Sequence, residues 1–116
     1  MGNVQSNSEN PPGVPPVLTV LLGVDTGKSF ILNNPRVTIG RGEDRDVQLT
    51  DRAISRMHCE IEIQEQSLII RDSGSQNGIK VNGSPVIAQE LHDGDQIDIG
   101  STLLVVTIPF KKDDDL

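Results

Sequence analysis

The chain has 116 residues, with 17 acidic side chains against 10 basic ones and a net charge of −7. This length corresponds to one domain, and the acidic balance argues against nucleic acid as a partner, because binding to a phosphate backbone needs a basic face. No apolar run approaches the roughly 20 residues needed to span a bilayer, and the N-terminus lacks the basic start of a secretory signal, so we expect no membrane association. The single Cys59 excludes an internal disulfide and fits a reducing compartment, and we expect the protein to be cytoplasmic. We also expect it to be a monomer.

The predicted elements begin after a polar arm. Residues 1–16 are mainly Asn, Ser, Gly and Pro, which predicts a disordered N-terminal arm. The first six residues of this arm also fit the N-myristoylation pattern. A single acyl chain would anchor the protein to a membrane only marginally. The segments that follow are short, rich in Val, Ile and Leu, and separated by turn residues, as is typical of strands. Strands are predicted over residues 17–22, 29–32, 36–40, 47–49, 59–64, 68–72, 96–99 and 102–108. Asn82-Gly83 supplies the positive φ angles that a tight hairpin turn needs.

The alternation of side chains indicates which strand faces are buried. One six-residue run alternates between apolar and polar, so Cys59, Ile61 and Ile63 should face the core. No segment shows a convincing helical period. We therefore predict an all-β sandwich or barrel over residues 17–109, followed by a charged disordered tail over 110–116.

Three short signatures stand where a predicted strand gives way to a loop: Gly40-Arg41, Ser55-x-x-His58 and Asn77-Gly78. Arg41 offers a planar fork of N–H donors that stays charged at any physiological pH. Ser55 offers a hydroxyl donor, and Asn77 offers a side-chain amide that both donates and accepts hydrogen bonds. All three groups suit a site that holds a phosphate or a peptide backbone.

These signatures and the residues around them resemble a forkhead-associated (FHA) domain. The resemblance covers about residues 17–108, and it is carried by segments 37–41, 54–58, 72–78, 81–83 and 91–100. It implies a β-sandwich of two mainly antiparallel sheets, with about 10–11 strands and recognition loops at one end. It also implies a non-catalytic module in serine/threonine kinase signalling, without metal or cofactor, that binds a phosphothreonine-containing protein, either a kinase or a kinase substrate.

The resemblance assigns roles residue by residue. Arg41 and Ser55 match the family's main phosphate contacts, and Arg56 matches a position that touches the phosphate or the peptide. Asn77 matches the residue that holds the peptide backbone. Gln76 stands beside it on the phosphate side, where the family most often has Thr or Arg, and is therefore a departure. Support of the binding loops is assigned to Gly40, His58, Gly78 and Asn82. For Asn82 a second role, turn chemistry in a plain hairpin, is left open.

The charge distribution bears on this prediction, because a phosphorylated threonine carries about −1.5 to −2 charges at neutral pH. Between residues 36 and 56 there are five Arg against four acidic residues, whereas from residue 86 onward there are seven acids and two Lys. A locally basic rim on an acidic body is what a site for a single phosphate needs.

Three alternative functions compete with this interpretation. Residues 23–29 suggest a nucleotide phosphate loop, and hence an ATP or GTP hydrolase using Lys28 and Ser29, but three residues instead of four separate the glycines and no helix is predicted to follow. Ser55 and His58 suggest a hydrolase pair, which would also need an orienting acid and an oxyanion hole. A phospho-independent interaction module that binds through a sheet face is the alternative within the binding class.

Overall fold

The computed structural model describes residues 14–109, which form eleven β-strands and no helix. The strands are β1 (Val17–Leu22), β2 (Ser29–Ile31), β3 (Arg36–Gly40), β4 (Val47–Gln48), β5 (Cys59–Gln64), β6 (Ser67–Asp72), β7 (Ile79–Val81), β8 (Ser84–Val86), β9 (Ala88–Leu91), β10 (Gln96–Ile99) and β11 (Thr102–Thr107). The predicted all-β class is confirmed. Most of the predicted arm, residues 1–13, and the predicted tail over 110–116 lie outside the described residues.

The strands form two sheets. One sheet has six strands in the order β2-β1-β11-β10-β7-β8, and the other has five in the order β4-β3-β5-β6-β9. Every strand pair in the two sheets is antiparallel except β3 with β4, where Ile39 pairs with Val47 in parallel. The prediction of two mainly antiparallel sheets is therefore confirmed. Within the described residues, no helix is long and apolar enough to cross a membrane.

The core between the sheets is aliphatic, because the chain has only two Phe and neither Tyr nor Trp. Inward positions alternate along each strand, as the pleat requires, so Leu18 and Val20 of β1 are fully buried. On β5, Cys59 and Ile61 are fully buried as predicted, and Ile63 is half-buried and packs against the same core. The side chains of both sheets therefore form one core.

The differences from the predicted strands are small and have local causes. β9 was not predicted, because Ala88-Gln89-Glu90 has no apolar alternation and only Leu91 at its end is buried. β9 is held at the edge of its sheet by pairing with β6. Pro16, which was assigned to the arm, is buried, and its carbonyl accepts a hydrogen bond from the Leu32 N–H at 2.9 Å.

The strand registers bring three loops to one end of the five-stranded sheet. Ile39, near the end of β3, pairs with Cys59 at the start of β5. Cys59 in turn pairs with Asp72 at the end of β6. The loops that follow β3, precede β5 and follow β6 therefore leave the sheet side by side.

Burial makes the single thiol unreactive. Burial, together with the negative charges of Asp72 and Glu60, raises the pKa of the Cys59 thiol well above its usual range. We expect iodoacetamide to leave Cys59 unmodified in the native protein at mildly alkaline pH and to label it in concentrated guanidinium chloride, because only the thiolate reacts. Mass spectrometry of the intact protein measures both. Rapid labelling of the native protein would show that β5 is not held in the core.

Candidate functional site

The loop after β3 and the loop before β5 are joined by backbone hydrogen bonds. The Arg41 N–H donates to the Ser55 carbonyl and the Gly42 N–H donates to the Arg56 carbonyl, both at 3.0 Å. A Cβ atom at Gly40 would lie only 2.2 Å from the Arg56 carbonyl oxygen. The close approach of the two loops therefore requires glycine at position 40.

His58 connects the loop before β5 to the loop after β6. It is completely buried, and its Nδ1 accepts a hydrogen bond from the Ser55 N–H at 3.0 Å. Its Nε2 lies 2.8 Å from the Gly78 carbonyl oxygen, which can only accept, so the ring is neutral with its proton on Nε2. Both ring nitrogens are therefore occupied by backbone groups, and His58 is not available as a base for the Ser55 hydroxyl.

The Ser55 hydroxyl is held with its proton available. The side chain is half-buried, and its Oγ accepts a hydrogen bond from the Gln76 N–H at 3.1 Å. A hydroxyl whose oxygen already accepts one bond still has its O–H to donate. Ser55 can therefore donate to an anion placed between the two loops.

Arg41 is exposed, and one side of its guanidinium group is fixed. Its Nε donates to the Ile54 carbonyl at 3.0 Å, and its own carbonyl accepts a bond from the Gln48 amide at 3.2 Å. Within residues 14–109, no hydrogen bond of the two terminal nitrogens is found, so their donors can serve a ligand. A guanidinium fixed in this way is suited to bidentate contact with phosphate oxygens.

Asn77 and Gln76 lie exposed in the loop after β6. The Asn77 Nδ2 donates to the Ala53 carbonyl at 2.8 Å, and the Asn77 side-chain oxygen has no hydrogen-bond donor among residues 14–109. Gln76 contributes its backbone N–H to Ser55, and its side chain is exposed. Arg56 is also exposed and is linked to the site through its carbonyl.

The loop after β6 is shaped by Asp72 and Ser75. Asp72 Oδ2 accepts hydrogen bonds from the Gly74 N–H at 3.1 Å and the Ser75 N–H at 3.2 Å. The Ser75 hydroxyl donates to Asp72 Oδ1, and its oxygen accepts the Gly78 N–H at 2.9 Å. Gly78 has a φ of 76°, which favours glycine. The position of Asn77 therefore depends on this hydrogen-bonded turn.

Two buried carboxylates anchor the loop before β5 to the rest of the sandwich, and the sequence interpretation missed both. Asp51 accepts hydrogen bonds from the Ala53 N–H (2.8 Å), the Ser101 N–H (2.7 Å) and the Thr102 hydroxyl (2.8 Å). Asp25 accepts the N–H and hydroxyl of the exposed Thr50 and pairs with Lys28. Each carboxylate has partners that are distant in sequence: Thr50 for Asp25, and Ser101 and Thr102 for Asp51. These contacts are therefore visible only in the folded chain.

Because of these two carboxylates, the free energy of unfolding depends on pH in the acid range. Burial alone would raise the pKa values of Asp25 and Asp51, but their hydrogen bonds outweigh it, so both pKa values lie below the usual 3.8. Their contribution to stability is therefore present above pH 3.8 and is lost as the pH falls through the lower folded-state values. We expect Asp51→Asn to cost about 1–3 kcal/mol at neutral pH, because buried N–H donors lose a charged acceptor.

The measurement is denaturant unfolding of wild type and Asp51→Asn between neutral pH and the acid transition. The difference between the two proteins should shrink as the pH falls from 3.8 through the lower folded-state pKa of Asp51, where the wild-type carboxylate also becomes protonated. The exposed Asp44→Asn variant serves as control and should differ little from wild type at any pH. A difference for Asp51→Asn that is independent of pH would contradict this account.

Not every residue expected to support the loops lies near them. Asn82 follows β7 at the end away from Gly78, and its side chain bonds to Asp95 Oδ1 and to the Gln96 N–H, both at 2.9 Å. Its φ of 51° forms the hairpin turn with Gly83. Asn82 therefore ties this hairpin to the turn before β10, which fits turn chemistry, the second of its two predicted roles, and not direct support of the loop after β6.

The features proposed for nucleotide chemistry are used for structure. Lys28 pairs with Asp25 at 3.1 Å, and Ser29 begins strand β2, so no helix N-terminus faces this loop. Within the described residues, no three His, Cys, Asp or Glu side chains come together as metal ligands. What the loop end offers is a set of hydrogen-bond donors held in place by hydrogen bonds between the loops.

This fold and site define a class of protein: a β-sandwich of two sheets with hydrogen-bond donors on the loops at one end. A family model described as the cytoplasmic domain of an inner membrane component of the T3SS, which is FHA-like, matches residues 19–109. A solved structure from an analysis of phosphothreonine-dependent FHA domain interactions has a TM-score of 0.75 and 34% identity, and the match covers 80% of this chain and 95% of that one. The chain belongs to the FHA domain family and is a binding module, not an enzyme.

Two relatives are similar to this chain over most of its length. The oxoglutarate dehydrogenase inhibitor of Corynebacterium glutamicum is 39% identical over 100 residues, covering 86% of this chain and 70% of the relative. The glycogen accumulation regulator GarA of Mycolicibacterium smegmatis is 36% identical over 109 residues, covering 94% of this chain and 69% of the relative. Both relatives are regulators, which agrees with a module that acts by binding.

Proposed function

We propose that this domain binds a phosphothreonine-containing segment of a partner protein in serine/threonine kinase signalling, acting as a cytoplasmic monomer. Arg41 and Ser55 bind the phosphate with help from Arg56, and Asn77 holds the peptide backbone with Gln76 beside it. The observation that carries this proposal is the hydrogen-bonded frame around Ser55. His58 fixes its backbone and Gln76 occupies its oxygen, so its O–H is set to donate.

The proposed site is small, so its affinity should be modest. We expect a dissociation constant in the micromolar range, about −8 kcal/mol. Affinity should fall as the pH drops below about 6, because the phosphate then becomes a monoanion and loses half of its attraction to Arg41. Calorimetric titration of a phosphothreonine peptide at several pH values measures this. The unphosphorylated peptide is the control, and equal binding of both peptides would refute the proposal.

The names of the relatives support a role for this domain in regulating another protein. One relative inhibits a dehydrogenase and another regulates glycogen accumulation. We propose that this domain likewise acts on the activity of another protein by binding it, with phosphorylation of the partner as the signal.

A phospho-independent mode remains the second candidate, because the outer face of the six-stranded sheet exposes apolar side chains among its polar ones. Ile31 of β2 is 63% exposed and Leu22 of β1 is 62% exposed. The outer face of the five-stranded sheet instead carries ion pairs, such as Arg36 with Glu60. If this mode operates, Ile31→Lys should weaken capture of a partner protein while Arg41→Ala leaves it intact. The proposed phosphothreonine mode predicts the reverse.

A further inference from the structure

The turn between β10 and β11, formed by Gly100 and Ser101, packs closely against the loop before β5. A Cβ atom at Gly100 would lie 2.9 Å from the Ile54 Cγ1, 3.0 Å from the Ala53 carbonyl carbon and 3.1 Å from the Ala53 Cβ. The Ile54 side chain is buried in the core, where close packing leaves it little room to move. The turn therefore reaches residues 53 and 54 only because position 100 has no side chain.

Residues 53 and 54 are also the two that orient the proposed ligand-binding side chains. The Ala53 carbonyl accepts the hydrogen bond of the Asn77 Nδ2 at 2.8 Å. The next carbonyl along the chain, that of Ile54, accepts the hydrogen bond of the Arg41 Nε at 3.0 Å. The proposed peptide contact and the proposed phosphate contact are thus oriented by two consecutive carbonyl groups. A displacement of this short segment would turn both side chains at once.

A buried carboxylate links the same segment to the same turn. Asp51 accepts hydrogen bonds from the Ala53 N–H at 2.8 Å and from the Ser101 N–H at 2.7 Å. The segment is therefore connected to the turn in two ways, by this carboxylate and by the close packing at Gly100. Because the turn belongs to none of the three sequence signatures, its link to the site appears only in the folded chain.

We infer, on the basis of the proposed function, that the β10–β11 turn is a fourth element of the phosphopeptide site and that Gly100 is a positioning residue. Gly100 acts through Ala53 and Ile54 and does not need to touch the ligand. A side chain at position 100 pushes this segment away from the turn. The Arg41 guanidinium and the Asn77 amide then leave the geometry that a phosphate and a peptide backbone require, since hydrogen bonds weaken steeply when they are misaligned.

The first test compares the phosphopeptide affinity of Gly100→Ala with that of Gly94→Ala. Gly94 is the matched control because its φ is also positive, 88° against 61° for Gly100, while a Cβ atom there would meet nothing within 4 Å. Both variants carry backbone strain, and only Gly100→Ala crowds residues 53 and 54. We expect Gly100→Ala to bind one phosphothreonine peptide about tenfold more weakly than Gly94→Ala in calorimetric titration, at a temperature where both are folded.

The second test separates positioning from a general loss of stability. In the peptide-free protein, the ¹⁵N resonances of the Arg41 Nε–H and the Asn77 side-chain amide report the two orienting hydrogen bonds. Gly100→Ala should shift both resonances, and Gly94→Ala should shift neither. Adding Ala53→Gly to Gly100→Ala removes the methyl group that the new side chain crowds, so the double variant should recover part of the lost affinity. Unchanged resonances, or equal affinities of Gly100→Ala and Gly94→Ala, would overturn this inference.

Wild type provides a measurement that does not depend on how any variant folds. A saturating phosphothreonine peptide should shift the backbone amide resonance of Gly100 and leave that of Gly94 unmoved. A Gly100 amide that stays unmoved while the Arg41 and Asn77 resonances shift would overturn this inference and leave the phosphothreonine function standing. Failure of wild type to bind any phosphothreonine peptide would overturn the proposed function as well.

Discussion

Replacing Arg41 with Ala is expected to weaken phosphopeptide binding by about 100-fold or more. The reason is the loss of two charge-assisted hydrogen bonds to phosphate, each contributing about 1.5–3 kcal/mol. Because 1.4 kcal/mol corresponds to about tenfold in affinity, even the lower value gives about a 100-fold loss. Calorimetric titration of wild type and variant with one phosphothreonine peptide measures the effect.

Two further variants make the Arg41 experiment specific. Arg41→Lys keeps the charge but loses the planar fork, so it should recover only part of the affinity. Arg36→Ala removes an exposed, ion-paired arginine from the sheet face and should bind the peptide like wild type. An Arg41→Ala variant that binds within about threefold of wild type would contradict the proposed phosphate contact.

Replacing His58 with Ala is expected to lower both stability and affinity. The ring is completely buried, and its removal leaves the Ser55 N–H and the Gly78 carbonyl without their partner. Each unsatisfied buried group costs about 1–3 kcal/mol, so we expect a loss of about 3 kcal/mol in the free energy of unfolding. For a domain of this size that lowers the melting temperature by about 15 °C.

The binding effect of His58→Ala follows from the loops that the ring joins. Without the ring, the Ser55 and Asn77 loops lose their common anchor, so phosphopeptide affinity should fall at temperatures where the variant is still folded. His92→Ala is the matched control, because the His92 side chain is 63% exposed, and it should change stability by less than about 0.5 kcal/mol. Equal melting temperatures for wild type and His58→Ala would show that the ring does not hold the loops together.

Much of the fold could be predicted because local patterns and tertiary structure agree. β1, β3, β5 and β10 have the predicted bounds, since each combines β-branched residues with clear turn signals at its ends. β9 could not be predicted in this way. It is an edge strand whose pairing with β6 comes from the backbone, and backbone pairing leaves no periodic signal in the side chains.

The site was predictable only where its residues belong to a motif. Arg41, Ser55 and Asn77 stand in short signatures, and the structure places them in adjoining loops. Asp51 was missed because its contacts with the Ser101–Thr102 turn span 50 residues of sequence, a separation that no local pattern reveals. The two roles predicted for Asn82 could not be distinguished from the sequence, because its partners Asp95 and Gln96 are brought to it by the pairing of β7 with β10.

The most direct measurement of the central claim is an amide-shift titration of isotope-labelled protein with two degenerate peptide pools, one phosphorylated on threonine and one not. This account predicts saturable shifts at Arg41, Ser55 and Asn77 with the phosphorylated pool alone. Identical absence of shifts with both pools would contradict it, as would shifts confined to the outer face of β1 and β2.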